Sequence, residues 1–419
     1  MKKKIFSFCI VVSILAGACN SEYGTELSEQ TITPPDPILQ YDPPVRAGFK
    51  TVAWSMVNDI DAHERAAAAI AIALYRDAIY IAGYDSHCSG KKGWRVEKRN
   101  MGDGSLDLAF GGGDGVVQSC PGAWWVDTWI NAVAVNETGI YVAGVDTSPW
   151  EGYGWRVEKL DLTDGGSIWT HRYNPDTGQA YTDEPKGVSV DGTGVYVAGY
   201  DHYGNRRWHM RKLDVNNGAT IWERSGDHSN SSDQATAVSV DETGMYVVGW
   251  ISRNGTTEWR VEKRDVKNGD LLWEKDGVSG YPSAMTVDTE GVYVTGRGYS
   301  PERKWIIEKR NKYTGDVVWE NYFGDTPDSI GRSMTADGDG VYIAGSDISH
   351  NTATPSMQWR VEKRSPADGS TLWAETADFS SGDDTVYSMV IDDDIGIYFA
   401  GESDDSHGSL WRVEKLFKE

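Results

Sequence analysis

The chain has 419 residues, a formal net charge of −23, 18 tryptophans, 21 tyrosines and 47 glycines. An acidic balance of this size leaves no basic field for phosphates, which excludes nucleic acid as an expected partner. The aromatic and glycine content, with no long apolar helical stretch after the N-terminal segment, points to an all-β protein with many turns.

Residues 1–18 read as a secretory signal. Lys2, Lys3 and Lys4 form its charged start, Ile5 to Leu15 its apolar centre, and Ala16-Gly17-Ala18 a small-residue cleavage site. The apolar centre is too short to span a bilayer. Cleavage after Ala18 leaves Cys19 first, and Leu15-Ala16-Gly17-Ala18-Cys19 resembles a bacterial lipoprotein signal, although Ala16 stands where a large apolar residue is usual. The resemblance implies a diacylated Cys19 and a lipid-anchored place in the cell envelope, periplasmic or surface-facing, with the membrane touched only through that lipid. Ordinary secretion is the other reading. Residues 19–47 carry Pro34, Pro35, Pro37, Pro43 and Pro44 without periodicity and read as a tether, lipid-anchored or free. Residues 48–419 are then one domain.

That domain repeats. Trp-Arg-Val-Glu-Lys opens at Trp94, Trp155, Trp259, Trp359 and Trp411, with altered copies at Trp208 and Trp305. A Tyr-x-x-Gly motif at Tyr80, Tyr141, Tyr196, Tyr246, Tyr293, Tyr342 and Tyr398 marks seven units of about 53 residues, a period in the range of propeller blades. Unit four shows four strand-like runs: Ala237 to Val240, Met245 to Gly249, Trp259 to Arg264 and Leu271 to Trp273. The first run alternates small residues, such as Ala237 and Ser239, with larger apolar ones, so it is the strand expected nearest the axis. The unit-ending Trp (Trp169, Trp222, Trp273, Trp319, Trp373) lies 14 residues after the Trp of the central stretch; in unit one that offset reaches Leu108. Unit seven lacks a fourth run, and Phe49 to Trp54 resembles Ala219 to Trp222. An N-terminal strand is therefore expected to complete the last blade and remove an open edge.

Val240 to Gly249, followed by Lys263-Arg264-Asp265 and Gly269 to Trp273, resembles the bacterial β-propeller repeat of secreted and surface proteins, and the Gly269-to-Trp273 ending is similar to quinoprotein-type repeats. Asp103 to Phe110 in unit one resembles a sister family. Together the resemblance covers residues 66–419. It implies an all-β, seven-bladed propeller of four-stranded blades, and these families share no single activity.

Alternation places Trp, Val and Lys of the central stretch on one side of the third strand and Arg and Glu on the other. The Trp residues are then expected in the core, and pairs such as Arg95/Glu97 and Arg260/Glu262 in ion-paired ladders between blades. Binding is expected on the variable connections before that stretch, at 85–93, 146–154, 201–207, 251–258 and 347–358. Cys88 and Cys120 reach that face and are expected to form a disulfide. Beside them Trp124, Trp125, Asp127, Trp150 and Tyr153 concentrate indole and phenol faces with a carboxylate, a composition suited to protein or carbohydrate; covering the disulfide is the structural alternative. Asp85, Asp146, Asp201 and Asp347 recur two residues after the strand-two Gly, as turn caps or as calcium ligands at a channel mouth. No cofactor is otherwise indicated. No His-Glu-x-x-His, Gly-x-Ser-x-Gly or phosphate-binding Gly-Lys-Ser/Thr loop appears, so no catalytic or metal residue is assigned. The reading is a non-catalytic binding scaffold; an exported enzyme on polysaccharide or a quinone-dependent dehydrogenase is the alternative.

Overall fold

The computed structural model describes residues 10–11, 52–58, 66–121, 126–148, 152–174, 182–203, 205–226, 228–229, 231–299, 304–323, 329–348, 356–392, 396–405 and 408–418. Among them every regular element is a strand, and no helix is long and apolar enough to cross a membrane. The cleavage site, Cys19 and the tether lie outside the described residues. Ile10–Val11, within the stretch read as the signal, pairs with Val188 and Ser189.

Each unit folds as an antiparallel four-stranded sheet in which consecutive strands are neighbours. Unit two consists of Trp129–Asn136, Gly139–Ser148, Gly152–Leu160 and Ser167–Tyr173. Units four and five share one long strand, Leu271–Val287, whose first half pairs with Thr256–Arg264 and second half with Val292–Gly298. In unit seven, Asp384–Asp392, Gly396–Asp405 and Gly408–Phe417 are joined by Val52–Asn58, with Trp54 opposite Lys415. The fourth strand of that sheet thus comes from the other end of the chain.

Local chemistry explains the regularity. In the turn after the first strand, Asp241 Oδ1 accepts the Thr243 amide at 2.7 Å, and the Thr243 hydroxyl lies 2.6 Å from the Tyr246 hydroxyl; an Asx turn of this kind fixes the first hairpin. Every first strand carries a one-residue bulge, at Ala69/Ala71 in unit one and Gly331/Ser333 in unit six. The Gly of Tyr-x-x-Gly faces that bulge: a Cβ on Gly83 would sit 2.0 Å from the Ala68 carbonyl oxygen, and one on Gly401 2.3 Å from that of Thr385. Backbone approach, rather than a left-handed φ, is what demands glycine there.

First strands pack on one another in chain order, and that of unit seven packs on that of unit one. Their small residues, including Ala71, Ala132, Ser239 and Ser333, are fully buried at these contacts. Farther out, Trp155 donates its indole N–H to the Tyr200 carbonyl of the next unit at 3.0 Å, and Trp169 to that of Val215 at 3.1 Å. Lys159 Nζ donates to the same Val215 carbonyl at 3.0 Å. Across the chain ends, Trp54 and Lys415 both donate to the Met101 carbonyl, at 3.3 and 3.0 Å, so the junction of units seven and one repeats the contact of units two and three. Unit one deviates in its outer strand, Val116–Ser119. There buried Phe110, not exposed Leu108, occupies the unit-ending tryptophan's place against Tyr80, with ring centroids 6.4 Å apart.

The expected ion-paired ladders between units are not what forms. Arg95 pairs with Glu97 two residues along its own strand and with Asp85 at 2.9 Å on the adjacent strand, because side chains at i and i+2 share a face and the guanidinium is long enough to reach along it. What crosses between units is a cation–π contact. Arg95 lies 5.5 Å from the Trp411 ring and Arg156 5.2 Å from the Trp94 ring, so these two arginines pack on the preceding unit's tryptophan.

Candidate functional site

Two of the variable connections are hairpin extensions rather than loops. Ala78–Cys88 and Lys91–Asn100 meet at Ser89-Gly90, and Gly244–Arg253 and Thr256–Arg264 at Asn254-Gly255. All four turn residues have positive φ, the geometry that matches the twist of paired strands in a two-residue turn. The recurring aspartates lie near the ends of second strands, Asp85 at the base of the first extension, and engage cations. Asp146 accepts Arg172 at 2.6 Å, Asp201 accepts Arg207 at 2.6 Å, and Asp347 accepts Arg360 at 2.8 Å. Burial would raise Asp85 and Asp201, yet His87 with Arg95, and His209 with Arg207, hold each down to about 2.

Cys88 and Cys120 form a disulfide. His87 Nε2 lies 3.3 Å from Cys88 Sγ, and His87 with the two sulfurs is a cluster of metal-type ligands among the described residues; with both sulfurs in the disulfide, no thiolate is offered there. Closing a loop of this length contributes roughly 3–4 kcal/mol. The Cys88→Ser/Cys120→Ser double variant is therefore expected to melt several degrees lower, and intact-mass measurement of oxidised protein should show two hydrogens fewer than the free-thiol form. Two free thiols after purification in air would contradict the pairing.

Of the residues picked out beside this disulfide, Trp124, Trp125 and Trp150 lie outside the described residues. Asp127 and Tyr153 are brought near one another. Asp127 Oδ1 accepts the Lys92 amide at 3.0 Å, pinning the connection to unit one. The Tyr153 ring lies 5.8 Å from Trp129, and burial, then the Asp127 charge, pushes its phenol pKa up. Trp129 in turn donates to Glu184 Oε1 at 3.0 Å. Glu184 also takes Asn131 Nδ2 at 2.9 Å, Tyr200 OH at 2.8 Å and Lys186 Nζ at 2.8 Å. Burial alone would raise this carboxyl, but Lys186 and the other donors hold it below the usual range. It is a saturated anchor, with little left for a ligand.

The bulges place residues that sequence reasoning missed. The extra residue of each first strand (Ile70, Asn131, Lys186, Thr236, Ser283, Arg332, Tyr387) is partly exposed between buried neighbours. A bulge re-aims its side chain, and in unit two it reaches the first strand of the next unit, where Asn131 bonds to Glu184. The available signal is that this position, just before the first small residue, never repeats its residue type. Around it in units four to seven stand Trp250, Tyr281, Arg297, Arg332, Tyr387 and Glu402. Tyr387 donates to Glu402, and burial raises the Glu402 carboxyl although Tyr387 opposes it.

No protein-family model matches the chain, and a search of curated proteins finds no match. Solved structures do resemble it. A chain of a mitotic checkpoint complex is 11% identical with a TM-score of 0.52, over 94% of this chain and 100% of that one. The β-propeller domain of Myceliophteria thermophila Cps50 (Swd1) is 9% identical with a TM-score of 0.51, over 85% and 98%. A quinohemoprotein alcohol dehydrogenase from Comamonas testosteroni is 11% identical with a TM-score of 0.46, over 87% and 76%. At such identities the first two likenesses are ones of fold, and they agree with the sheet order and packing above: the chain folds as a β-propeller.

Proposed function

We propose that this chain is a seven-bladed propeller of the bacterial cell envelope, exported by residues 1–18 and lipid-anchored at Cys19 through the 19–47 tether. It acts as a non-catalytic scaffold that binds protein or glycan on the face carrying the second-to-third-strand connections. Seven first strands in cyclic contact support the blade number, and the Val52–Asn58 pairing supports closure by an N-terminal strand. The Cys88–Cys120 disulfide suits an oxidising compartment. A similar chain within a checkpoint complex supports protein partners for this fold.

The observation that carries the binding reading is where repetition stops. Side chains that recur in every unit are consumed in packing, whereas the non-repeating bulge residues and the rings of Tyr281 and Tyr299 stay partly exposed, the bulges near the starts of first strands and so at the ends of the sheets that carry the second-to-third-strand connections. Function on a rigid repeat scaffold concentrates where the repeat varies. A glycan array and a pull-down from native envelopes test this. The expected result is a ligand whose binding falls at least about ten-fold, roughly 1.4 kcal/mol, in Trp124→Ala, Trp150→Ala or Tyr281→Ala. A ligand bound equally by all three variants would remove the site from this face.

A further inference from the structure

Arg332 is an oddity in a chain of net charge −23. The bulge between Gly331 and Ser333 takes it out of the strand's alternation, its Nε is buried with no hydrogen-bond partner, and no carboxylate among the described residues is in ion-pair contact with it. Its guanidinium carbon lies 5.6 Å from the Tyr387 ring centroid. Glu402 is close enough to favour its charge and Arg297 close enough to oppose it, while burial costs the charged form most. Glu402 accepts the Tyr387 hydroxyl rather than the guanidinium. A half-buried guanidinium left this poorly compensated costs free energy that an incoming anion would recover.

Its surroundings say what carries the anion. Arg297 stands directly opposite Tyr281 in the strand register. Tyr281 meets Trp250 edge-on at 5.4 Å and Tyr299 edge-on at 5.6 Å, and Tyr281 and Tyr299 are each 37% exposed. The arc therefore runs from flat aromatic faces to a guanidinium without a counterion. A simple phosphate or sulfate would use only the arginines. A pyranose ring bearing a carboxylate would use both, its C–H face against a tyrosine and its acid on Arg332.

We infer that this arc binds an acidic sugar chain, a polyuronate, with Arg332 and Arg297 on a uronate carboxylate and Tyr281 and Tyr299 against the sugar rings. The inference rests on the binding-scaffold reading above and narrows its ligand class. Calorimetric titration of the full chain with a galacturonate trisaccharide, its methyl ester, inorganic phosphate and a hexaglutamate peptide tests it. The acid trisaccharide should bind at least about ten-fold more tightly than the ester, weaken as salt rises, and outcompete phosphate. Arg332→Met should erase the preference for acid over ester while melting no lower than the parent, because it removes a half-buried cation that has no ion-paired carboxylate. Arg332→Lys should retain part of the preference. Equal binding of acid and ester, or an undiminished preference in Arg332→Met, overturns the inference and leaves the broader binding reading standing. Stronger binding of phosphate or hexaglutamate also overturns it, in favour of a bare anion site or an acidic peptide. Silence toward these probes together with a blank array and pull-down removes both readings.

Discussion

Removing residues 48–58 is expected to leave a chain that is unfolded or aggregated at temperatures where the parent is intact. Val52–Asn58 supplies the outer strand of unit seven, and its loss exposes the edge of Gly408–Phe417, an invitation to pair with another chain. It also removes Trp54, whose indole donates to the Met101 carbonyl and against which Gly104 packs. Truncating a large aromatic of this kind costs roughly 3–5 kcal/mol when fully buried, and somewhat less for half-buried Trp54. With the lost strand pairing, the total approaches the whole stability of a typical domain, roughly 5–15 kcal/mol. Two point variants separate closure from mere shortening. Trp54→Ala should lower the melting temperature by about 3–6 °C, given the size of the unfolding entropy. Gly104→Ala should do so as well, since Gly104 has φ +73° and an added Cβ would lie 2.9 Å from the Trp54 ring. Melting curves followed by circular dichroism, with a deletion of 22–40 as control, provide the measurement. An unchanged curve for the 48–58 deletion would show that the fold does not depend on its N-terminal strand.

Sequence reasoning reached this strand because packing positions must repeat. Trp54 could be matched to Trp222 before any contact was known, since an outer-strand indole needs the same carbonyl and the same glycine in each neighbour. It failed where geometry breaks alternation. Period-two counting puts Arg332 on the face of Met334, between sheets, and only the bulge between Gly331 and Ser333 takes it out of phase. Alternation also places Arg95 and Glu97 on one face without saying which neighbour they meet, so reach along the strand was mistaken for reach across blades. The Asn254-Gly255 hairpin was legible in principle, as Asn-Gly is a strong turn signal. The insertion-like variability of the connections hid it. Trp124, Trp125 and Trp150 stood out by composition, whereas the arc around Arg332 is assembled from four units and has no contiguous signature.

The Glu of the repeated stretch gives the second large effect, and its sign depends on how many guanidinium groups surround it. Glu262 accepts Arg260 Nε and Arg264 Nε, both at 2.8 Å. Burial would raise its pKa, but Arg264, His228 and Arg260 outweigh that and lower it. Glu97 is likewise held down by Arg99 and Arg95 against burial. Glu414 has Arg412 at 2.7 Å and the Ser55 hydroxyl at 2.6 Å, with Leu416 where the second arginine would stand. One guanidinium does not offset complete burial, and its pKa is raised. A carboxyl lowered by folding contributes stability above its unfolded pKa, about 4.3, and that contribution is lost as pH falls toward the folded value. A raised carboxyl acts oppositely, its charged form working against the fold once pH climbs past the unfolded value. Glu262→Gln strands two buried cations and should cost roughly 2–4 kcal/mol at pH 7, or about 3–6 °C, the deficit shrinking below pH 4. Glu414→Gln should cost about 1 kcal/mol or less at pH 7 and compare less favourably with the parent as pH falls. Neither should alter ligand binding. Thermal melts of both variants from pH 3.5 to 7 read the two slopes, and parallel slopes would mean that the second arginine does not set the charge state of the buried glutamate.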